Sequence, residues 1–181
     1  NDMIFSHHSW PRAIVHIDGD AFFTSCEEVI HPELKGKPMI TGGERGIVAC
    51  ASYPAKKMGI TRGVPLHQAK NICPNLIILP SDYETYSLFS RRMFNIMRRF
   101  TPDVEEYSID EAFCDITGMR RALRSSYTGI AEQMKRAIER ELGLGVSVGI
   151  SLTKVLAKVG SKHQKPSGLT VIAGRSIARY L

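Results

Sequence analysis

His16-Ile17-Asp18-Gly19-Asp20-Ala21-Phe22-Phe23 follows the apolar run Ala13-Ile14-Val15, which reads as a buried strand. Side chains alternate along a strand, so Asp18 and Asp20 leave its end on the same face. Two carboxylates placed there repel each other, and a cation is their natural neutraliser. An isolated Asp-x-Asp is better explained as a strand that ends in an Asx-turn with both acids solvated. A second acidic pair, Asp110-Glu111, lies between two further strand-like runs. Together the two clusters make an oxygen-ligand site for divalent metal.

The length of 181 residues suits one domain, or one domain carrying an inserted subdomain. With 43% hydrophobic and 23% charged residues, the composition is that of a globular protein. No apolar run reaches the roughly 18 residues of a membrane span, and no signal-peptide pattern opens the chain, so no membrane association is expected. Cys26, Cys50, Cys73 and Cys114 have no C-x-x-C spacing and are expected as buried, reduced thiols of an intracellular protein. Charge is distributed unevenly. After Glu141 there is no acid, while Lys154, Lys158, Lys162, Lys165, Arg175 and Arg179 follow and account for the whole net charge of +6. A basic segment beside an acidic cluster suggests a polyanionic partner plus metal, although a solvated helix face accounts for the lysines equally well.

Residues 1–12, with His7, His8 and Trp10, read as a loosely held leader. Residues 13–18 are the first strand, and Thr24 to Ile30 a short helix. Met39-Ile40-Thr41 and Ile47-Val48-Ala49-Cys50 are expected as a hairpin, and Leu76 to Leu79 as a strand. Ser81 and Glu84 form a capping-box pattern for a helix with Tyr86, Phe89, Met93, Ile96, Met97 and Phe100 on its core face. Strands are expected at Val104 to Ile109 and Ala112 to Ile116, then a helix from Ser126 to Leu142 stopped by Gly143. Val146 to Ile150 is the next strand, Ser151 is expected to cap a basic helix, and Leu169 to Ile172 is a last short strand. With residues 24–80 set aside, the order is strand, helix, strand, strand, helix, strand: an α+β, ferredoxin-like (βαββαβ) arrangement. The expected sheet has the first strand beside the first of the middle pair, which brings Asp18 to Asp110 and Glu111, with residues 24–80 as an insertion.

Four motifs occur in order: His16 to Phe23; Ala51-Ser52-Tyr53-Pro54-Ala55-Lys56-Lys57; Tyr107-Ser108-Ile109-Asp110-Glu111-Ala112-Phe113; and Ser147 to Lys162, followed by Lys165-Pro166-Ser167-Gly168. Along roughly residues 13–172 the chain resembles the palm and fingers of the Y-family, lesion-bypass DNA polymerases, nearest to the bacterial polymerase IV branch. The resemblance implies a palm of residues 1–23 and 80–172, an α/β fingers subdomain of residues 24–79, and the start of a truncated thumb at 173–181. It implies two magnesium ions held by Asp18, Asp110 and Glu111, with the Gly19 carbonyl as a further ligand and Asp20 in a supporting role. Backbone N–H groups of Ala21, Phe22 and Phe23 would cradle the triphosphate, and Tyr53, Lys56 and Lys165 would hold its phosphates. Lys56 stands where the family often has Arg. Phe23 matches the steric gate against the sugar C2′, while Ser108 and Asp115 match positions with structural roles.

Each of these residues also has a plainer explanation: Tyr53 and Phe23 as core packing, Lys56 as a solvated charge. Lys154, Lys158 and Lys162 share a helix face that could meet primer-strand phosphates. The expected partners are primer-template DNA, a dNTP and, through parts beyond residue 181, a sliding clamp. The expected compartment is cytoplasmic in a bacterium, nuclear in a eukaryote. A palm-type nucleotide cyclase, a metal-dependent nuclease and a catalytically silent accessory subunit are the rival functions. The first lacks a Tyr53/Lys56-type insertion, the second would release nucleotides without added triphosphate, and the third typically loses the carboxylates retained here.

Overall fold

The computed structural model describes residues 10–180, so His7 and His8 of the expected leader lie outside the described residues. In chain order the elements are β1 (Ile14–Gly19), α1 (Phe22–Ile30), β2 (Met39–Thr41), β3 (Cys50–Ala51), α2 (Tyr53–Lys57), α3 (Leu66–Ile72), β4 (Ile77–Leu79), α4 (Tyr83–Arg98), β5 (Val104–Ser108), β6 (Glu111–Asp115), α5 (Arg120–Leu123), α6 (Tyr127–Leu142), β7 (Val146–Ser151), α7 (Lys154–His163) and β8 (Leu169–Val171). Residues 10–20 with 90–180 form one compact unit and residues 21–89 another, the division falling inside α4 between Phe89 and Ser90.

In the first unit a five-stranded sheet has the order β5-β6-β1-β7-β8. β1 is central and antiparallel to both neighbours, and β8 joins β7 in parallel at the edge. The alternating run Ala13, Val15, Ile17 faces a core shared with Met93, Phe94, Ile96 and Met97 of α4 and Ile130, Met134 and Ile138 of α6. The opposite face carries α7. It approaches so closely that a Cβ on Gly149 would run into the backbone of Ala157 and Ser161, which is why β7 needs a glycine there. Ser126 caps α6 by accepting the Gly129 N–H, and Gly143 ends it in the left-handed conformation (φ 73°).

The expected ferredoxin-like connectivity is present, with one correction to its strand order. β1 lies beside β6, the second strand of the middle pair, not beside β5. β1 and β5 are joined by the helical crossover α4, so both run the same way. The returning hairpin strand β6 fits between them, antiparallel to each. Two caps also differ from expectation. Asp82, not Ser81, accepts the Thr85 N–H at the start of α4. Ser151 stays in β7, and Thr153 caps α7 by accepting the Leu156 N–H.

The second unit has a three-stranded sheet, β3-β2-β4, with β2 antiparallel to β3 and parallel to β4. Ile40, Ala51, Ala55, Ile60, Ala69, Cys73 and Leu76 form its core. Of the expected strand Ile47 to Cys50, Cys50 pairs with β2 together with Ala51, and the Ala49 N–H donates to the Thr41 carbonyl of β2. Val48 is diverted: its N–H bonds the Val64 carbonyl, and its carbonyl accepts the Gly63 N–H.

Cys26, Cys73 and Cys114 are buried and Cys50 is half-buried, a departure from the uniformly buried set expected. Burial raises the Cys26 thiol far above its ordinary value and pushes Cys114 up to about 12. Because the thiolate is the reactive form, Cys50 should be alkylated first by iodoacetamide at pH 8. Cys26 and Cys114 should react only after urea unfolding, as peptide mapping would show. Rapid labelling of Cys114 in the folded protein would contradict this packing.

Candidate active site

The register of the first sheet sets Asp18 directly opposite Glu111 on one side and Ser147 on the other. Directly paired residues of antiparallel strands share a face, so both acids stand on the side that carries α7. Asp18 is only 4% exposed. Its Oδ2 lies 3.1 Å from Lys162 Nζ and 3.0 Å from Lys165 Nζ. Glu111 Oε1 lies 3.4 Å from Lys158 Nζ. Ser108 Oγ is 3.0 Å from Asp110 Oδ1 and 3.2 Å from Glu111 Oε2, so one hydroxyl serves two carboxylates but donates to one at a time. The Asp110 carbonyl accepts the Gly19 N–H at 2.8 Å, tying the β5–β6 turn to the end of β1. Burial, reinforced by the charges of Asp18 and Glu111, pushes the Asp110 carboxyl above the usual carboxylate range.

His16, two residues before Asp18 and on the same face, is fully buried. Ser161 Oγ lies 2.8 Å from the Lys158 carbonyl and 2.6 Å from His16 Nδ1, so its one proton serves one of the two at a time. The other ring nitrogen, Nε2, faces Glu111 Oε1 at 3.3 Å, and neither atom has a hydrogen bond despite the short separation. Burial lowers His16 to about 4 against the pull of Glu111 and Asp18, so the ring is neutral at pH 7.

Among the described residues no three His, Cys, Asp or Glu side chains are gathered as a ready metal cage. The donors nevertheless fit a hard divalent cation. All are carboxylate oxygens, the Glu111 Oε1 acceptor is buried and unsatisfied, and the Asp110 charge is raised in energy by its neighbours. The Lys162 ammonium is disfavoured by burial, but Asp18, Glu111 and Asp110 outweigh that and raise it. Lys154 pairs with Glu105. Each of the three lysines on the shared face of α7 is therefore engaged by an acid of the sheet. Asp115 is used elsewhere, accepting the Thr117 N–H near Arg12.

In the second unit Ala21 adopts the left-handed conformation (φ 42°) immediately before α1, and no side chain caps that helix. A helix start leaves its first N–H groups without intrahelical partners, so those of Phe22 and Phe23 have none within α1. The Phe23 ring stacks on Tyr86 at 4.5 Å and 14°, with Tyr83 edge-on at 5.5 Å. The Tyr86 hydroxyl donates to buried Glu27 at 2.7 Å, one helical turn from Phe23. Lys56 Nζ sits 4.6 Å over the Tyr53 ring. His16 and Glu27 were legible only as a face partner of Asp18 and an acid one turn beyond Phe23. Tyr86 reads from sequence as core, and is also the backing of Phe23.

Residues 17–162 match the model of the impB/mucB/samB family. The chain is 40% identical to the DNA polymerase IV of Listeria innocua and 39% identical to that of Dehalococcoides mccartyi, in each case over 94% of its own length. It covers 48% and 44% of those proteins, so it spans about half the length of the curated relatives it matches. Among solved structures it is similar to an insertion ternary complex of Dbh DNA polymerase (TM-score 0.85, 32% identity) and to DinB from Sulfolobus solfataricus (TM-score 0.85, 33% identity). It covers 93% of itself in both, and 51% and 50% of those chains. With residues 17–162 matched by the family model, and a mixed sheet that sets Asp18 of its central strand beside Glu111 of the next, the chain is a member of the impB/mucB/samB family, the Y-family polymerase domain.

Proposed function

We propose that the chain is the nucleotidyl-transferring portion of a template-directed DNA polymerase of the translesion type. The observation that carries this reading is Asp18 in register with Glu111, with Asp110 electrostatically coupled to both. In this reading the first unit is the palm, the second the fingers, and residues from 173 onward approach a thumb. Asp18, Asp110, Glu111 and the Gly19 carbonyl would hold two magnesium ions. Bound there, the metal would supply positive charge to the primer 3′-hydroxyl and to the triphosphate as pyrophosphate leaves.

The remaining roles fall to the protein's own groups. Lys165 and Lys56 offer ammonium charge to the phosphates of a dNTP, and Tyr53 offers its hydroxyl. The N–H groups of Ala21, Phe22 and Phe23 suit phosphate oxygens, as unpaired amides at a helix start do. Phe23, supported by the Tyr86 ring, excludes a 2′-hydroxyl by contact. Lys154 and Lys162 are exposed and, with Lys158, suit primer-strand phosphates. Primer-template DNA is the expected macromolecular partner, and a sliding clamp belongs to the whole protein on the same reading. No helix among the described residues is long and apolar enough to cross a membrane; a polymerase works where its DNA is, which is the ground for an intracellular compartment on this reading.

Primer extension by the protein at the full length of its polymerase relatives tests the carboxylate assignment. Asp18→Ala, Asp110→Ala and Glu111→Ala should each lower incorporation by roughly two to three orders of magnitude, the effect of losing several kcal/mol of charge stabilisation. Near-normal extension by Asp110→Ala would remove the two-metal reading.

Sugar choice is a separate measurement. Phe23→Ala should raise ribonucleotide incorporation relative to deoxyribonucleotide by about tenfold or more, the discrimination a steric contact supports. An unchanged ratio would return Phe23 to simple packing against Tyr86.

A further inference from the structure

The second acid of the Asp-x-Asp motif has a defined set of partners. Asp20 is 3% exposed. Its Oδ1 accepts the Ser147 hydroxyl of β7 at 2.6 Å, and its Oδ2 accepts the Ser167 N–H at 2.7 Å. Its own N–H donates to the Gly145 carbonyl at 2.9 Å. A Cβ on Gly145 would come within 3.3 Å of Oδ2, so the strand leaves Asp20 just enough room. Lys165 Nζ lies 3.6 Å from Oδ1 and 3.0 Å from Asp18 Oδ2, so the lysine sits between the two acids of the motif.

Ser167 is the other half of the arrangement. Its φ of +56° is left-handed, an unfavourable region for a side-chain-bearing residue. Three bonds hold it there. The N–H goes to Asp20, the hydroxyl donates to Glu139 Oε1 at 2.7 Å, and the same oxygen accepts from Lys135 Nζ at 2.9 Å. Lys135 and Glu139, one turn apart on α6, are themselves paired at 3.0 Å. A Cβ on Gly168 would overlap the Gln164 backbone, so the turn is tight as well as pinned.

We propose that Asp20 is a positioning residue: with Ser167 it clamps the Lys165-Pro166-Ser167-Gly168 turn and so fixes where the Lys165 ammonium meets nucleotide phosphate. The proposal rests on the reading of Lys165 as a phosphate-binding group. The carboxylate is needed because the Ser167 N–H approaches one of its oxygens and the Lys165 ammonium the other, and neither of these donors can accept. An amide has one acceptor oxygen and would turn its NH2 toward either the Ser167 N–H or the Lys165 ammonium. Asp20 thus acts through Lys165, without touching the nucleotide.

A double-mutant cycle separates this from a merely structural role. Binding of dGTP in excess magnesium is titrated calorimetrically to the full chain, with amide hydrogen exchange at Ser167 followed in parallel. Lys165→Ala should weaken dGTP binding roughly tenfold, the worth of one charge-assisted phosphate contact. Asp20→Asn should weaken it severalfold and remove exchange protection at Ser167. In the Lys165→Ala background Asp20→Asn should add less than twofold. Ser167→Ala, which keeps the N–H and loses only the tie to α6, should give a smaller loss with the same non-additivity, so the test survives poor folding of Asp20→Asn. An equal loss from Asp20→Asn in both backgrounds, or an unprotected Ser167 amide in the wild-type chain, overturns the clamp. No change on Lys165→Ala alone overturns the phosphate role of Lys165 beneath it, and Ser167 protection then tells that failure apart from failure of the clamp.

Discussion

A carboxylate on the central strand of a buried sheet must find counter-charge, because its desolvation is not repaid by packing. Asp18 is in this position, and the arrangement of the first unit follows from how its charge is met. β1 lies between β6 and β7, so Asp18 faces Glu111 across one ladder and Ser147 across the other. Cations reach it from α7 and the turn after it, through Lys162 and Lys165. Gly149 lets that helix come close enough. The basic C-terminal segment is therefore the electrostatic complement of the acids on the sheet, as well as a candidate phosphate-binding surface. A divalent cation and a phosphate would each compete for one side of these ion pairs, which suits a site that binds the two together.

The second unit carries a different kind of order. Phe23 leaves α1 and stacks on Tyr86, whose hydroxyl is satisfied by Glu27 one turn further along α1. Burial and the hydrogen bond to Glu27 hold the Tyr86 phenol well above its ordinary value, so it stays protonated as a donor. An aromatic ring backed by a second ring with a fixed hydroxyl has little freedom to tilt. A sugar-excluding contact depends on a ring that does not yield.

Much of this was legible in the residue order. The period-2 run at residues 13–18, the period-3.6 run from Tyr86 to Phe100 and the Gly143 stop report local preferences, and each element formed within a few residues of its expected place. Caps were less predictable, because several adjacent residues can serve. Asp82 displaced Ser81, and Thr153 displaced Ser151, according to which side chain the chain direction aimed at the free N–H. Val48 left the expected hairpin because Val64, distant in sequence, offered a better-placed carbonyl.

The sequence by itself determined which residues carry charge, which faces are apolar and in what order the elements come, since these are properties of side chains and their spacing. It therefore announced Asp18, Asp110, Glu111 and the basic segment. Only the tertiary structure decided the pairings: β6 rather than β5 beside β1, Tyr86 behind Phe23, and Asp20 holding Ser167 across most of the chain length. The first depends on strand order, the second on the packing of two helices, and the third on a left-handed turn stabilised by three separate bonds. No local pattern encodes them, because each partner is brought up by an element distant in sequence rather than by its neighbours along the chain.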